Sequence, residues 1–214
     1  MELNRSLIAL DLLRLGAVFL RPDEPFTWAS GILSPIYCDN RLTLSDVGVR
    51  EDVENGLATL IRNHFPTTQI LMGTSTAGIA HAAITATKLN LPMGYVRATQ
   101  KDHGRHNQIE GRLLPGQKVV VVEDLISTGG SCLEVVKVLR EAGAEVLGVV
   151  SIFTYNMQKG VDAFRKEGVV SYSLCDLETL LEAAVNNGYI KAEDKQRVIR
   201  FRNNPSDEGW MNKE

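Results

Sequence analysis

The stretch VVVVEDLISTGGS, residues 119–131, decides how the rest of the chain is read. Four consecutive valines, Val119 to Val122, are stiff at χ1 and suit a pleated, fully buried strand. Pro115-Gly116 punctuates the chain before them, and Glu123-Asp124 follows, where an apolar strand meets water. Gly129 and Gly130 can take backbone conformations closed to other residues, with the hydroxyls of Ser127, Thr128 and Ser131 beside them. From Ser131 the pattern turns helical, through about residue 142.

Working outward, the chain repeats this strand-to-helix rhythm. Short apolar runs occur at 69–73 (QILMG), 92–96 (PMGYV), 118–124 (KVVVVED), 144–153 (AEVLGVVSIF) and 169–174 (VVSYSL). Helical patterns at 78–89, 131–142 and 161–167 lie between them, the order expected of β-α-β units around a parallel sheet. Two further helices are predicted at 176–187 and 192–203, the first stopped by Asn187-Gly188. The first 20 residues read as an amphipathic helix, because Arg5, Asp11 and Arg14 interrupt the apolar run before it reaches export length. An irregular segment, PFTWASGILSPIYCDNR at 25–41, reads as a hood over the sheet.

Composition narrows the class. The 214 residues are 44% hydrophobic and 23% charged, ordinary for one folded domain and unlike a disordered or disulfide-scaffold chain. The formal net charge of −3 leaves no bulk attraction for nucleic acid or an anionic membrane, and no apolar stretch reaches membrane-spanning length. Cys38, Cys132 and Cys175 are odd in number and widely spaced, which points to a reducing, cytoplasmic setting. The single domain is expected to comprise a hood at about 1–45, an α/β core at about 46–175 and closing helices at about 176–214.

In open α/β sheets ligands sit beyond the carboxyl ends of the strands, so residues 123–131 are the first place to seek chemistry. Amide N–H groups converging where a helix begins suit a phosphate. Two carboxylates beside such a nest would repel that anion alone, and so fit sugar hydroxyls or a magnesium ion carried by the same ligand. Together these residue types describe a phosphorylated ribose. A P-loop, a GxGxxG turn, HExxH and GxSxG are all absent.

A second constellation, YVRATQKDHGRHNQIEGR at 95–112, reverses the local sign of charge with Arg97, Lys101, Arg105 and Arg112 against Asp102 and Glu110. Its length, polarity and glycines predict a mobile cationic flap that shuts over a polyanion. GTSTAGIAHA at 73–82 is another glycine-and-hydroxyl turn able to accept an anion. His64, His81 and Cys132 read as packing or surface residues, and the five cations within 191–202 as a solvated helix face.

VVVVEDLISTGGS resembles the phosphoribosyl pyrophosphate (PRPP) signature of type I phosphoribosyltransferases. RATQKDHG is similar to the loop of the orotate-using branch, FTWASGILSPIYCDNR to its hood, and GTSTAGIAHA to its orotate-side turn. The resemblance implies transfer of ribose 5-phosphate from PRPP to orotate N1, giving orotidine 5′-monophosphate and pyrophosphate in pyrimidine synthesis, with Mg2+ brought by PRPP rather than held by a protein site. It implies PRPP contacts at Arg97, Lys101, His103, Glu123, Asp124, Leu125, Ile126, Ser127, Thr128, Gly129, Gly130 and Ser131. It places orotate against Ser127, makes Lys101, His103 and Asp124 the catalytic candidates, and predicts a homodimer whose flaps serve the neighbouring site. Many members carry lysine at the positions of Ala29, Ala77 and Ala98 and an arginine near Tyr155. Either magnesium, Arg105 and Arg41 make up for those cations, or affinity is lower. A PRPP-sensing regulator and a purine phosphoribosyltransferase would share the nest. The first lacks room for a nucleic-acid module, and the hood and KDHG loop count against the second.

Overall fold

The computed structural model describes residues 4–27, 31–98 and 108–212. Helix α1 (Arg5–Arg14) opens the chain, its first turn capped by the Asn4 side chain. The hood follows as two small antiparallel pairs. Strand β1 (Val18–Leu20) pairs with β4 (Ile36–Cys38), and β2 (Phe26–Thr27) with β3 (Leu33–Ser34). A 3₁₀ turn at Asn40–Ser45 leads into α2 (Val47–His64), which Asp46 caps through Val49 N–H.

The central sheet then builds in alternation: β5 (Ile70–Thr74), α3 (Ala77–Leu89), β6 (Met93–Val96), β7 (Ile109–Glu110), β8 (Lys118–Ile126), α4 (Gly130–Glu141), β9 (Glu145–Thr154), α5 (Gln158–Lys166) and β10 (Ser171–Asp176). Helices α6 (Leu177–Asn186) and α7 (Ala192–Asn203) close it, with Gly188 at φ +73° just after α6, as the Asn187-Gly188 pair predicts. The sheet order is β10-β9-β8-β5-β6-β7, parallel throughout except at β7. This is the expected α/β class.

The valine run explains why the sheet is covered on both faces. Val120 and Val122 enter one apolar cluster with Leu57, Ile61, Leu71, Ala82 and Leu180; Val119 and Val121 enter another with Met72, Val136, Leu139 and Phe164. Residues alternate across a strand, so helices on opposite faces receive alternate valines. All four are fully buried.

Several sequence expectations need correction: the helix read over the first 20 residues ends at Arg14, and Val18–Leu20 form β1 because they pair with Ile36–Cys38. The flap reading of 95–112 includes residues that form β7, which runs antiparallel to β6 with Tyr95 opposite Glu110. A two-residue strand carries too little alternation to show in sequence. Strand β8 does not end at Asp124 but continues to Ile126, because β9 stays paired with it through Leu125 opposite Phe153 and Ile126 opposite Thr154. Helix α5 begins at Gln158, three residues before the predicted start. Finally, the cationic stretch 191–202 is not simply a solvated face. Arg197 is 4% exposed and donates to Asp23, Asp194 and the carbonyls of Pro22, Trp210 and Met211. It ties the hood and the final turn to α7.

Candidate active site

The strand order reverses beside β5: the chain passes from β5 outward to β6, then returns to β8 on the other side and proceeds to β9 and β10. A crevice at the carboxyl ends of β5 and β8 is where such sheets bind ligands. Thr74 ends β5, and its Oγ1 donates to Glu123 Oε1 across that crevice at 2.6 Å. The same carboxylate oxygen accepts Asp124 N–H at 2.9 Å. Glu123 is 5% exposed, while Asp124 is half-buried and its charge reaches Cys38 and Arg41 of the hood. Asn40 fastens the hood to this strand end by donating to the Asp124 carbonyl at 2.8 Å.

Burial, followed by the hydrogen bond and charge of Asp124, pushes Glu123 up to about 8, with Thr74 partly opposing the shift. A linkage prediction follows. Above its ordinary value of 4.5 the unfolded chain releases the Glu123 proton, while the folded protein keeps it until about pH 8. Within that window folding stability therefore falls with rising pH, by up to about 1.4 kcal/mol per unit from this group. Melting curves of the ligand-free protein should slope downward over the window more steeply than those of Glu123→Gln. Parallel slopes would refute the assignment.

Beyond Ile126 the backbone bends through Ser127 and Thr128 to Gly129, which is left-handed at φ +76° and caps α4. Helix α4 thus starts at Gly130, one residue ahead of expectation, and Gly129, Gly130 and Ser131 place their amides at its positive end. An added Cβ at Gly129 would lie 2.6 Å from Phe164 Cε2, so both conformation and space demand glycine. The side chains of Leu125 and Ile126 pack into the two apolar clusters, leaving their backbone as what they can offer a ligand.

Arg97 follows β6 on the same side of the sheet. Its Nη1 is 3.7 Å from Glu110 Oε1, and its amide and carbonyl pair with the Gln108 backbone and side chain. Lys101, His103 and Arg105 lie outside the described residues, as does Ala29. The second anion turn, Ser75–Thr76, lies between β5 and α3, with Ala77 opening the helix. Gly78 comes close to β8: a Cβ there would sit 2.4 Å from the Val122 carbonyl.

This combination of a strand-end acid pair, a left-handed glycine nest and a cation beyond β6, across β5 from the acids, coincides with known proteins. The phosphoribosyl transferase domain family matches residues 49–176. The orotate phosphoribosyltransferase of Bacillus subtilis (strain 168) is 55% identical over 212 residues, covering 99% of this chain and 98% of that protein. The chain belongs to the orotate phosphoribosyltransferase family. The family's Aeropyrum pernix crystal structure superposes with a TM-score of 0.75 at 31% identity, over 86% of this chain and 99% of that one. Leishmania donovani UMP synthase gives 0.79 at 26% identity, where 92% of this chain spans 42% of the longer protein.

In this type I phosphoribosyltransferase fold Glu123, Asp124 and Ser127–Ser131 lie at the end of β8, and Arg97 lies beyond β6, with β5 between the two strands. His81 and Cys132 are buried, as their packing reading expects; His81 Nδ1 lies 2.7 Å from Glu54 Oε1. Sequence reading does not single out Thr74 or Asn40 as partners of the acid pair. Thr74 carries a signal, being the hydroxyl at a strand end in GTSTAG, whereas Asn40 has none beyond membership of the hood. Tyr155 is 3% exposed and stacks edge-on against Phe153 with ring centroids 5.3 Å apart. Its side chain is a core element in this member of the family.

Proposed function

We propose that this chain transfers ribose 5-phosphate from PRPP to N1 of orotate. The observation that carries the reading is the acid pair and left-handed nest at the β5–β8 crevice, in a chain similar to orotate phosphoribosyltransferases along its whole length. The nest amides at Thr128, Gly129, Gly130 and Ser131 hold the 5-phosphate, and Glu123 and Asp124 accept from the ribose hydroxyls. Ser127 meets the base. Arg97, Lys101 and His103 face the diphosphate.

In the reaction the bond from ribose C1 to the diphosphate oxygen breaks, orotate N1 bonds to C1 from the opposite side, and the N1 proton is released. The sugar passes through an oxocarbenium-like state, so the protein positions two reactants and stabilises separated charge without a nucleophile of its own. Asp124, beside the ribose, steadies the positive sugar. Arg97 and Lys101 steady the departing anion.

Magnesium fits the oxygen-rich acid pair, yet among the described residues no three His, Cys, Asp or Glu side chains form a metal-holding group. The resemblance implies that the ion would arrive with PRPP, with Glu123 and Asp124 accepting from the ribose hydroxyls. When bound it supplies charge neutralisation at the diphosphate. Among the described residues no helix is long and apolar enough to cross a membrane, and three free thiols fit a reducing, cytoplasmic setting.

The deciding assay incubates the protein with PRPP and magnesium plus orotate, uracil or hypoxanthine in turn. Pyrophosphate release with orotate alone is expected; release with hypoxanthine alone would overturn the base assignment. We infer further that two chains share their sites, the flap of one serving the other. Exposed Phe19, Tyr37, Leu42 and Val47 on and beside the hood give a second copy an apolar surface. Mixing inactive Lys101→Ala and Asp124→Asn proteins under subunit exchange should restore about a quarter of native activity, since random pairing gives half the dimers one intact site. No recovery in demonstrably mixed dimers would contradict shared sites.

A further inference from the structure

The phosphate nest is supported from behind by a helix that supplies none of the residues assigned to substrate above. After β9, Asn156 at φ +51° turns the chain, and α5 runs back against the nest. Contact there is backbone on backbone. A Cβ added at Gly160 would lie 2.7 Å from the Ser127 carbonyl and 3.4 Å from the Thr128 carbonyl carbon. One helical turn later the Phe164 ring edge fills the space beside Gly129, where a Cβ would lie 2.6 Å from its Cε2. Gly160 is buried and Phe164 is 5% exposed. The bare backbone of Gly160 and the Phe164 ring, one turn apart on one helix face, therefore define where the left-handed turn can sit.

We propose that Gly160 and Phe164 are positioning residues for the 5-phosphate of PRPP, acting through the Ser127–Gly129 backbone. The proposal rests on the functional reading above. It deepens that reading by assigning α5 to the affinity for the sugar phosphate rather than to the chemistry of transfer. The physical reason is the short range of amide–phosphate hydrogen bonds: donors must lie about 2.7–3.2 Å from their acceptors, so a displacement of several tenths of an ångström in the turn weakens them together. The packing is also asymmetric. A cavity of about 240 Å³, lined by Ile126, Ser127, Met157, Gly160, Phe164 and Val169 among others, adjoins the same turn. On this side Ser127 borders open space, and Gly160 and Phe164 supply the close contacts to the turn.

Steady-state kinetics of Gly160→Ala and Phe164→Leu test this. Each should raise the KM for PRPP at least fivefold while the KM for orotate and kcat at saturating PRPP stay within about threefold of native. Leu139→Val is the structural control. It lies in the same apolar cluster as Phe164 but toward the far end of α4 from the nest, and should lower the melting temperature with the KM for PRPP unchanged. If Gly160→Ala fails to fold, Phe164→Leu carries the test alone. A KM for PRPP within twofold of native in the folded variants, or all kinetic constants moving together with the melting temperature, overturns the proposal. Calorimetric titration of the native protein with PRPP and magnesium separates the two levels. No heat of binding there defeats the functional reading itself, whereas tight native binding matched by the variants defeats only the positioning role.

Discussion

Lys101→Ala is expected to lose about 10²–10³-fold in kcat, with the KM values for PRPP and orotate changing far less, the scale seen when one preorganised donor to a developing charge is removed. The diphosphate becomes an independent polyanion only as its bond to C1 breaks. A cation delivered to it therefore stabilises the transition state more than the ground state, and its loss appears in turnover rather than binding. The surrounding charges sharpen the effect. Ala77 and Ala98 offer no cation on this side, and Arg97 is already shared with Glu110 at 3.7 Å. Single-turnover measurements at saturating PRPP and orotate isolate the step. Native turnover in the variant under those conditions would remove Lys101 from the mechanism.

The second large effect is expected at Gly129, where alanine should weaken PRPP binding by about two orders of magnitude. A left-handed conformation costs a residue with a Cβ about 1–2 kcal/mol. The new methyl would also stand 2.6 Å from Phe164 Cε2, so either the ring or the turn must shift, and the ring is held in a buried cluster. The turn yields, and the amides of Gly130 and Ser131 move with it. Gly168→Ala is the matched comparison. It is left-handed at φ +60° with nothing within 4 Å of an added Cβ, so it pays a similar backbone cost away from the nest. Calorimetry should show PRPP affinity lost in Gly129→Ala and kept in Gly168→Ala. Equal affinities would mean that the nest tolerates rearrangement and does not seat the phosphate.

Much of this architecture is legible in the chain because it is encoded locally. The Val119–Val122 run, the Asn187-Gly188 helix stop and the glycine-hydroxyl turn after Ile126 each carry their own conformational signal within a few residues. What escapes is encoded by pairing between distant segments. Thr74 and Glu123 meet only because β5 and β8 are neighbours, with Gly73 opposite Val122. The extension of β8 to Ile126 depends on how far β9 stays beside it. Arg197 reads as one cation in a charged helix, since the groups that bury it, Asp23, Pro22 and Trp210, come from the hood and the final turn. Gly160 likewise falls just before the predicted helix and carries no sign of its role until the Ser127 carbonyl is seen against it. The acids and glycines of the candidate site are thus readable as residue types, and the contacts that fix their positions are not.

The most direct test is a crystal structure of the protein with PRPP and magnesium. The 5-phosphate should accept hydrogen bonds from amides within Thr128–Ser131, with the ribose hydroxyls on Glu123 and Asp124 and the diphosphate directed toward Arg97. A sugar phosphate seated at the Ser75–Thr76 turn or elsewhere, with the Ser127–Ser131 nest vacant, would contradict the account.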